Sequence, residues 1–370
     1  MALRDPFPAA HPIAPSYDKS LGIYTMLGNS LFYFSSDRAR SNSDRINISV
    51  QRQLPGSVVL DVTYFRNHTS QVFQTDYNIN QVDPTIGYTY KEQTLAVIDN
   101  PFYNNSNLPV DKFPGELRYQ SQVGVTSLAR PYPHYGDIFV VDGFKGGAMK
   151  YQALQIKVQK NYSQGLSLLF GYSYHVEKDE TFFNDIDTYK RNYTWQDPFG
   201  YRHRITNAST WDIPLGKGRH FMNQSHWLLD AIVGGWKLSD VIYWRSGNLL
   251  RFDGMVWDGT DPKVSNPTPQ QWFSTSGFQR LPDFTPRTNP WSFSGLTGPG
   301  VFTMNASFVK DFHITERLKM QLRADAFNLL NNMSWGDPST TVDDSSFGQI
   351  TNQANLTFGR RVQLGVRIEF

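Results

Sequence analysis

A chain of 370 residues with 35 Lys and Arg against 33 Asp and Glu carries a formal charge of +2, too mild a balance for a nucleic-acid binder, whose basic residues gather on one face. Zero Cys removes disulfide frameworks, thiolate metal sites and Cys nucleophiles together. Only 39% of the residues are hydrophobic and no apolar run approaches the roughly twenty residues of a membrane helix, which excludes a helical membrane protein.

The amino-terminal stretch Met1-Ala2-Leu3-Arg4-Asp5-Pro6-Phe7-Pro8 shows neither a basic region leading into an apolar one nor a small-residue cleavage site. If the chain is exported, its signal is expected upstream. The first segment with a period of two is 45–54, where Ile46, Ile48 and Val50 oppose Asn47, Ser49 and Gln51. After Pro55-Gly56 comes 58–65, with Val58, Leu60, Val62 and Tyr64 on one side and Asp61 and Thr63 on the other. Segment 151–160 sets Leu154, Ile156 and Val158 against Gln155, Lys157 and Gln159; segment 166–174 sets Leu166, Leu168, Phe170, Tyr172 and Tyr174 against Ser167, Gly171 and Ser173. Asn161-Tyr162-Ser163-Gln164-Gly165 joins these two with the composition of a hairpin turn.

Segments 204–213 and 236–245 alternate less cleanly. Residues 302–309 pair Phe302, Met304, Ala306 and Phe308 with Thr303, Asn305 and Ser307, and residues 317–326 pair Leu318, Met320, Leu322, Ala324 and Ala326 with Lys319, Gln321, Arg323 and Asp325. The ninth segment is the terminal one, 361–370, with Val362, Leu364, Val366, Ile368 and Phe370 at its even positions and polar residues or Gly at its odd ones.

Alternation of this kind gives each strand one apolar and one wet face. A tilted strand of about ten residues spans the hydrocarbon core of a bilayer. The closing Phe370 suits a membrane interface, and the 15% of aromatic residues suits the girdles of a transmembrane β-barrel. The connections alternate as well: short at Pro55-Gly56, 161–165 and 312–316, moderate at 214–235, and long at about 67–149, 177–201, 247–300 and 332–358. Counted back from a periplasmic carboxyl terminus, every short turn falls on the periplasmic rim and every long loop on the extracellular one. The expected fold is therefore an all-β, antiparallel transmembrane β-barrel, partial, with about nine strands and long extracellular loops.

The stretch Glu316-Arg317-Leu318-Lys319-Met320-Gln321-Leu322-Arg323-Ala324-Asp325-Ala326-Phe327-Asn328-Leu329-Leu330-Asn331-Asn332, followed by Phe347-Gly348-Gln349-Ile350 and the Phe370 ending, resembles the carboxyl-terminal barrel of large TonB-dependent receptors, specifically the Oar-like group. The resemblance extends upstream through Asp5-Pro6-Phe7-Pro8, Gln53-Leu54-Pro55-Gly56, Asn78-Ile79-Asn80-Gln81, Arg130-Pro131-Tyr132-Pro133, Tyr151-Gln152-Ala153-Leu154-Gln155, Arg202-His203-Arg204, Ile213-Pro214-Leu215-Gly216-Lys217-Gly218 and Gly234-Gly235-Trp236. It implies a barrel of about 22 strands around an amino-terminal plug, which takes up scarce nutrients with energy delivered by the TonB complex. This chain departs from that pattern: it holds nine of the strands and neither the plug, a TonB-contact segment nor an amino-terminal carbohydrate-binding-like domain.

Single-chain bacterial barrels have an even strand number, and unpaired strand edges are costly in lipid. Residues 1–370 are thus expected to be the carboxyl-terminal part of a longer receptor, an open half-barrel that does not gate or transport alone. The partners implied are outer-membrane lipid, the missing plug and strands, the TonB complex through that plug, the barrel-assembly machinery through the terminal strand, and an unidentified small solute. No cofactor and no nucleic acid are implied.

Arg323, Asp325, Arg361, Arg367 and Glu369 fall on the polar side of the last strands and are lumen-facing candidates for solute contact. Solvating the lumen or pairing with a plug accounts for such charges without a solute. The family's ligand contacts come mainly from plug apices and external loops, which directs attention to 67–149 and 247–300. Phe252, Trp257, Trp272, Trp291 and Phe293 in the latter suit stacking on a sugar or chelate ring; packing of the loop itself is the alternative.

Asp253-Gly254-Met255-Val256-Trp257-Asp258-Gly259-Thr260-Asp261 is acidic but lacks the carboxylate spacing of a calcium loop. His220 and His226 have no third ligand at metal spacing, and no nucleophile elbow, phosphate loop or His-Glu-x-x-His occurs, so no enzymatic activity is expected. Two rivals to a receptor remain: a soluble secreted β-rich carbohydrate-binding or carbohydrate-cleaving module, and a passive porin or adhesin barrel.

Overall fold

The computed structural model describes residues 28–34, 40–74, 77–106, 116–141, 144–313, 315, 318–354 and 357–370. Asp5-Pro6-Phe7-Pro8 and Glu316-Arg317 lie outside the described residues.

Each of the nine alternating segments forms a strand: β1 (Asn42–Leu54), β2 (Val58–Ser70), β3 (Met149–Ser163), β4 (Leu166–Phe182), β5 (His203–Asp212), β6 (Trp236–Arg245), β7 (Val301–His313), β8 (Lys319–Phe327) and β9 (Arg361–Glu369). Each pairs antiparallel with the next, in chain order. A short strand, Tyr193–Gln196, adds to the end of β4. β4 outruns its expected end at 174, because His175–Asp179 pair with β3 and Asp179–Phe182 with that added strand. β2 likewise continues to Ser70, held between Asn42 of β1 and Met149–Lys150 of β3.

The register sorts most side chains onto one apolar and one polar face, with Asn207, Ser209, Asp240 and Lys310 as polar residues on the apolar side. Leu166, Trp211, Leu238, Phe308, Ala324 and Leu364 stand opposite one another across six strands. One residue along, the row on the other face reads Ser167, Thr210, Ser239, Ser307, Asp325 and Gln363. A one-residue slip in any strand would exchange these faces, so the alternation itself specifies the register. Among the described residues β1 and β9 each pair on one side only. Their apolar side chains are correspondingly bare, with Val50 66% and Leu364 78% exposed.

Because the sheet is a meander, the connections 55–57, 164–165, 213–235 and 314–318 share one rim with Phe370, and 71–148, 183–202, 246–300 and 328–360 share the other. The tight turns are built for this. Gly56 and Ser57, and Gln164 and Gly165, all take positive φ, the backbone twist that matches a two-stranded hairpin.

Loops 246–300 and 328–360 fold together as a cap over the long-loop rim. Leu250, Phe252, Met255, Phe273, Phe278, Phe293 and Leu296 form its core, with Trp257, Trp272, Val342 and Phe347 packed against it. A small hairpin, Met255–Trp257 with Phe278–Arg280, frames that core. Fully buried Asn289 cross-braces it, accepting from the Met255 amide at 2.9 Å and donating to the Asp253 carbonyl at 2.9 Å. At the base of the cap the two legs of the loop nearly touch. A Cβ on Gly247 would lie 1.6 Å from the Gly298 carbonyl oxygen.

Candidate solute-facing surface

The polar face of the sheet is lined by short hydroxyl and amide side chains, which leave room above the backbone. Ser167, Thr210, Ser239, Ser307, Arg323 and Asp325 border a groove of about 500 Å³. A second, of about 350 Å³, runs past Asp61, Thr63, Gln155, Lys157, Arg204 and Thr206.

All five charged candidates stand on this face, since Arg323, Asp325, Arg367, Glu369 and Arg361 align with Gly365, Gln363, Gln321, Lys319 and Phe327 respectively. Four of them pair with one another. The Arg323 Nε donates to Asp325 Oδ1 at 2.8 Å, and Arg367 Nη2 lies 2.8 Å from Glu369 Oε1. The Arg361 guanidinium sits 4.7 Å from the centre of the Phe358 ring. These i, i+2 pairs are half exposed, where an ion pair contributes little to stability; their effect is to lay a balanced charge pattern along the wall.

The five loop aromatics are held by the cap. Phe252 and Phe293 are 1% and 7% exposed and meet edge to face at 5.1 Å. Trp257 packs on Phe293 at 5.1 Å and donates from Nε1 to the Thr260 carbonyl. Trp272 donates to the Thr297 carbonyl at 2.8 Å. Trp291 stands apart from that core and donates to Phe182 at the end of β4, at 3.2 Å. Its ring lies under two guanidinium groups, Arg287 at 3.7 Å and Arg251 at 4.6 Å. Burial, reinforced by Arg251, pulls the Arg287 guanidinium down to about 10, so it stays charged at neutral pH. An excursion this long needs a core of its own, and its large rings supply it. Of the five rings, those of Trp257, Trp272 and Trp291 are half-buried.

In the acidic segment 253–261, Asp258 turns its Oδ1 to the amide and hydroxyl of Thr260 at 2.9 and 2.7 Å, and these bonds hold its carboxyl below the usual carboxylate range. Asp261 faces Lys263 at 3.3 Å. His220 and His226 pack their rings on Phe221 and Trp227.

The structure also assembles a feature that single segments do not reveal. Just below the long-loop rim a belt of rings and cations crosses the polar face. Arg45 lies over Phe65 at 5.6 Å, Phe65 meets Tyr151 at 5.7 Å and Tyr151 stacks on His175 at 5.5 Å. His175 meets Tyr201 edge-on at 5.7 Å, and Arg245 closes the series over Tyr201 at 5.3 Å. These six residues come from β1, β2, β3, β4, the residues leading into β5, and β6. Phe65, Tyr151 and His175 each occupy the side of the alternation reserved for polar residues, which was the available signal; their adjacency required the register.

A meandering antiparallel sheet with one mostly apolar face, one mostly polar face and long loops gathered on a single rim is the wall of an outer-membrane type of β-barrel. The chain matches the family model described as outer membrane beta barrel domain over residues 1–363, and it belongs to that family. Its location is accordingly the outer membrane, with the apolar face against lipid. No curated protein matches it.

Among solved structures it is similar to the outer membrane transporter YddB from Escherichia coli (9% identity, TM-score 0.39, covering 94% of this chain and 35% of that one). It is also similar to the FrpB iron transporter from Neisseria meningitidis (9%, 0.38, 91% and 32%). A third is the ferripyoverdine receptor of the outer membrane of Pseudomonas aeruginosa (8%, 0.37, 89% and 27%). The chain thus spans between 27% and 35% of the length of these three.

Proposed function

We propose that residues 1–370 are the carboxyl-terminal part of a TonB-dependent receptor barrel of the Oar-like group, and that the whole receptor imports a scarce small solute. The ordered series of motifs from Arg130-Pro131-Tyr132-Pro133 to the Phe370 ending supports the family reading. The observation that carries the solute reading is the belt from Arg45 to Arg245. It lines the mouth of the polar wall with four half-buried rings and a cation at each end, where a solute with a flat face and a negative group would be held by stacking and by charge. In this reading Arg323, Asp325, Arg361, Arg367 and Glu369 solvate the lumen wall and face a plug, and the partly exposed Trp257, Trp272 and Trp291 border the entrance. Val362, Leu364, Val366, Ile368 and Phe370 form the strand that the barrel-assembly machinery engages. The protein acts as a transporter, not an enzyme.

The test is growth and solute uptake in cells that make the full-length protein, with and without a functional TonB complex. Uptake that disappears when TonB is removed supports the reading. Uptake that persists unchanged assigns a passive porin instead. The soluble carbohydrate-module alternative has lost its ground, because the chain belongs to an outer-membrane family.

A further inference from the structure

The connection 213–235 differs from 55–57 and 164–165 on its rim, which are tight turns. It closes with a seven-residue helix, Trp227–Val233, whose carboxyl-terminal end is fastened to the lipid-facing side of the sheet. The Trp236 Nε1 donates to the Ile232 carbonyl at 2.9 Å, and the Lys310 ammonium donates to the Gly234 carbonyl. Lys310 is 4% exposed, covered by the rings of Trp236 and Phe312 at 5.1 and 4.9 Å. Trp236 and Lys310 align with each other, and Phe312 aligns with Met320, all on the apolar face. Asp230 is turned inward, accepting from the Lys217 amide at 2.5 Å. What remains outside is almost entirely apolar: Trp227, Leu228 and Ile232 are 67%, 54% and 68% exposed.

An aqueous rim leaves that cluster without cover. The lipid-facing band of the sheet runs directly into it through Trp236, Trp211 and Phe312. Lys217, Arg219 and His220 precede the helix, all exposed except Lys217's neighbour Gly216, which is buried against Asp230. We infer that this connection is a membrane-interface anchor. The helix lies along the periplasmic leaflet with Trp227, Leu228 and Ile232 at the boundary of headgroups and acyl chains, while Lys217 and Arg219 meet phospholipid phosphates. Its occupant is phospholipid, in continuity with the apolar face. The inference rests on the outer-membrane location and is independent of whether the receptor imports anything.

Residues 1–370 hold no Cys, so the test uses the full-length protein, with any Cys outside these residues replaced by Ser, in vesicles of phosphatidylethanolamine and phosphatidylglycerol. Spin labels are attached singly to Ile232→Cys, Trp227→Cys and, as an aqueous reference in the same connection, Asn223→Cys. Folding of each variant is verified by its heat-modifiable mobility on a gel. The two helix labels should collide with dissolved oxygen and be several-fold less accessible to an aqueous nickel chelate than the Asn223→Cys label. Equal nickel accessibility at all three overturns the inference. Helix labels hidden from both reagents overturn it too, because they place a protein, either a second copy or a periplasmic partner, where lipid was assigned. Two independent helix positions keep the test decisive if one variant fails to fold.

Discussion

Tyr151 on β3 and His175 on β4 stack with ring centres 5.5 Å apart and planes 25° apart, although neither is directly opposite the other in the ladder, where Tyr151 aligns with Glu177 and His175 with Ala153. The diagonal contact carries the ring belt from one strand to the next. Replacing both with Ala removes its centre without touching the apolar face. The double variant is expected to keep its folded mobility and membrane location and to bind the solute at least about fivefold more weakly, since two stacking contacts are each worth about 0.5–1.5 kcal/mol. Whole-cell binding with radiolabelled solute reads this out. Unchanged affinity would remove the belt from the entry route.

The two faces of β9 predict opposite responses to one kind of substitution. Leu364→Arg places a cation in lipid and is expected to cost about 2–4 kcal/mol near the bilayer midplane. Gln363→Arg, on the polar face beside Asp325, is expected to cost almost nothing. The folded fraction recovered in outer membranes separates the two; equal yields would contradict the facing assigned here.

Within the cap, Phe252 touches Phe273, Phe278 and Phe293 at 5.2, 5.7 and 5.1 Å. Phe252→Ala leaves a void in a small core and is expected to destabilise the cap by about 3–5 kcal/mol, seen as rapid cleavage within 246–300 by an external protease while the sheet stays intact. Resistance equal to that of the unmodified protein would mean the core is not what holds the cap.

The pinch at the foot of the cap makes a stricter prediction. Gly247→Ala drives its methyl group into the Gly298 carbonyl, backbone against backbone, so one leg of the loop must move. Protease sensitivity should rise as in Phe252→Ala, whereas Gly359→Ala, whose Cβ would meet nothing within 4 Å, should leave it unaltered.

Acid should loosen the cap. Asp258 and Asp344 both accept hydrogen bonds, Asp344 from the Ser346 amide at 3.0 Å and the Ser339 hydroxyl at 2.9 Å. Those bonds hold both carboxyls below their ordinary value. A lowered carboxyl binds its proton less readily in the folded state, so the stabilisation is complete above the unfolded value of about 3.9 and is lost as pH falls through the folded value. Amide exchange of the Thr260 and Ser346 N–H groups is expected to accelerate in that window. The pair Asp258→Asn and Asp344→Asn keeps an acceptor oxygen and should flatten the pH dependence; a profile that survives both substitutions assigns it elsewhere.

The nine strands were legible because each segment carries its own alternation, a local property that burial on one face imposes residue by residue. Even the imperfect segments 204–213 and 236–245 settled on the expected sides, the departures Asn207, Ser209 and Asp240 being reconciled by hydrogen bonds among themselves, Asn207 donating to Asp240 at 2.7 Å and the Ser209 hydroxyl donating to the same carboxylate. The ring belt was not legible, since Phe65, Tyr151 and His175 sit far apart in the chain and become neighbours only through register. The loop aromatics illustrate the converse. Phe252 and Phe293 stand out in a polar stretch, yet composition alone does not say whether a ring faces a solute or the loop's own interior, and here the need to bury surface decided the matter.

That self-sufficient interior has an evolutionary corollary. Because Leu250, Phe252, Phe273 and Phe293 keep the cap standing from within, its outward residues carry almost none of the folding energy. The outward side of the cap is therefore at liberty to change in sequence while the rings inside it and the sheet beneath it stay the same.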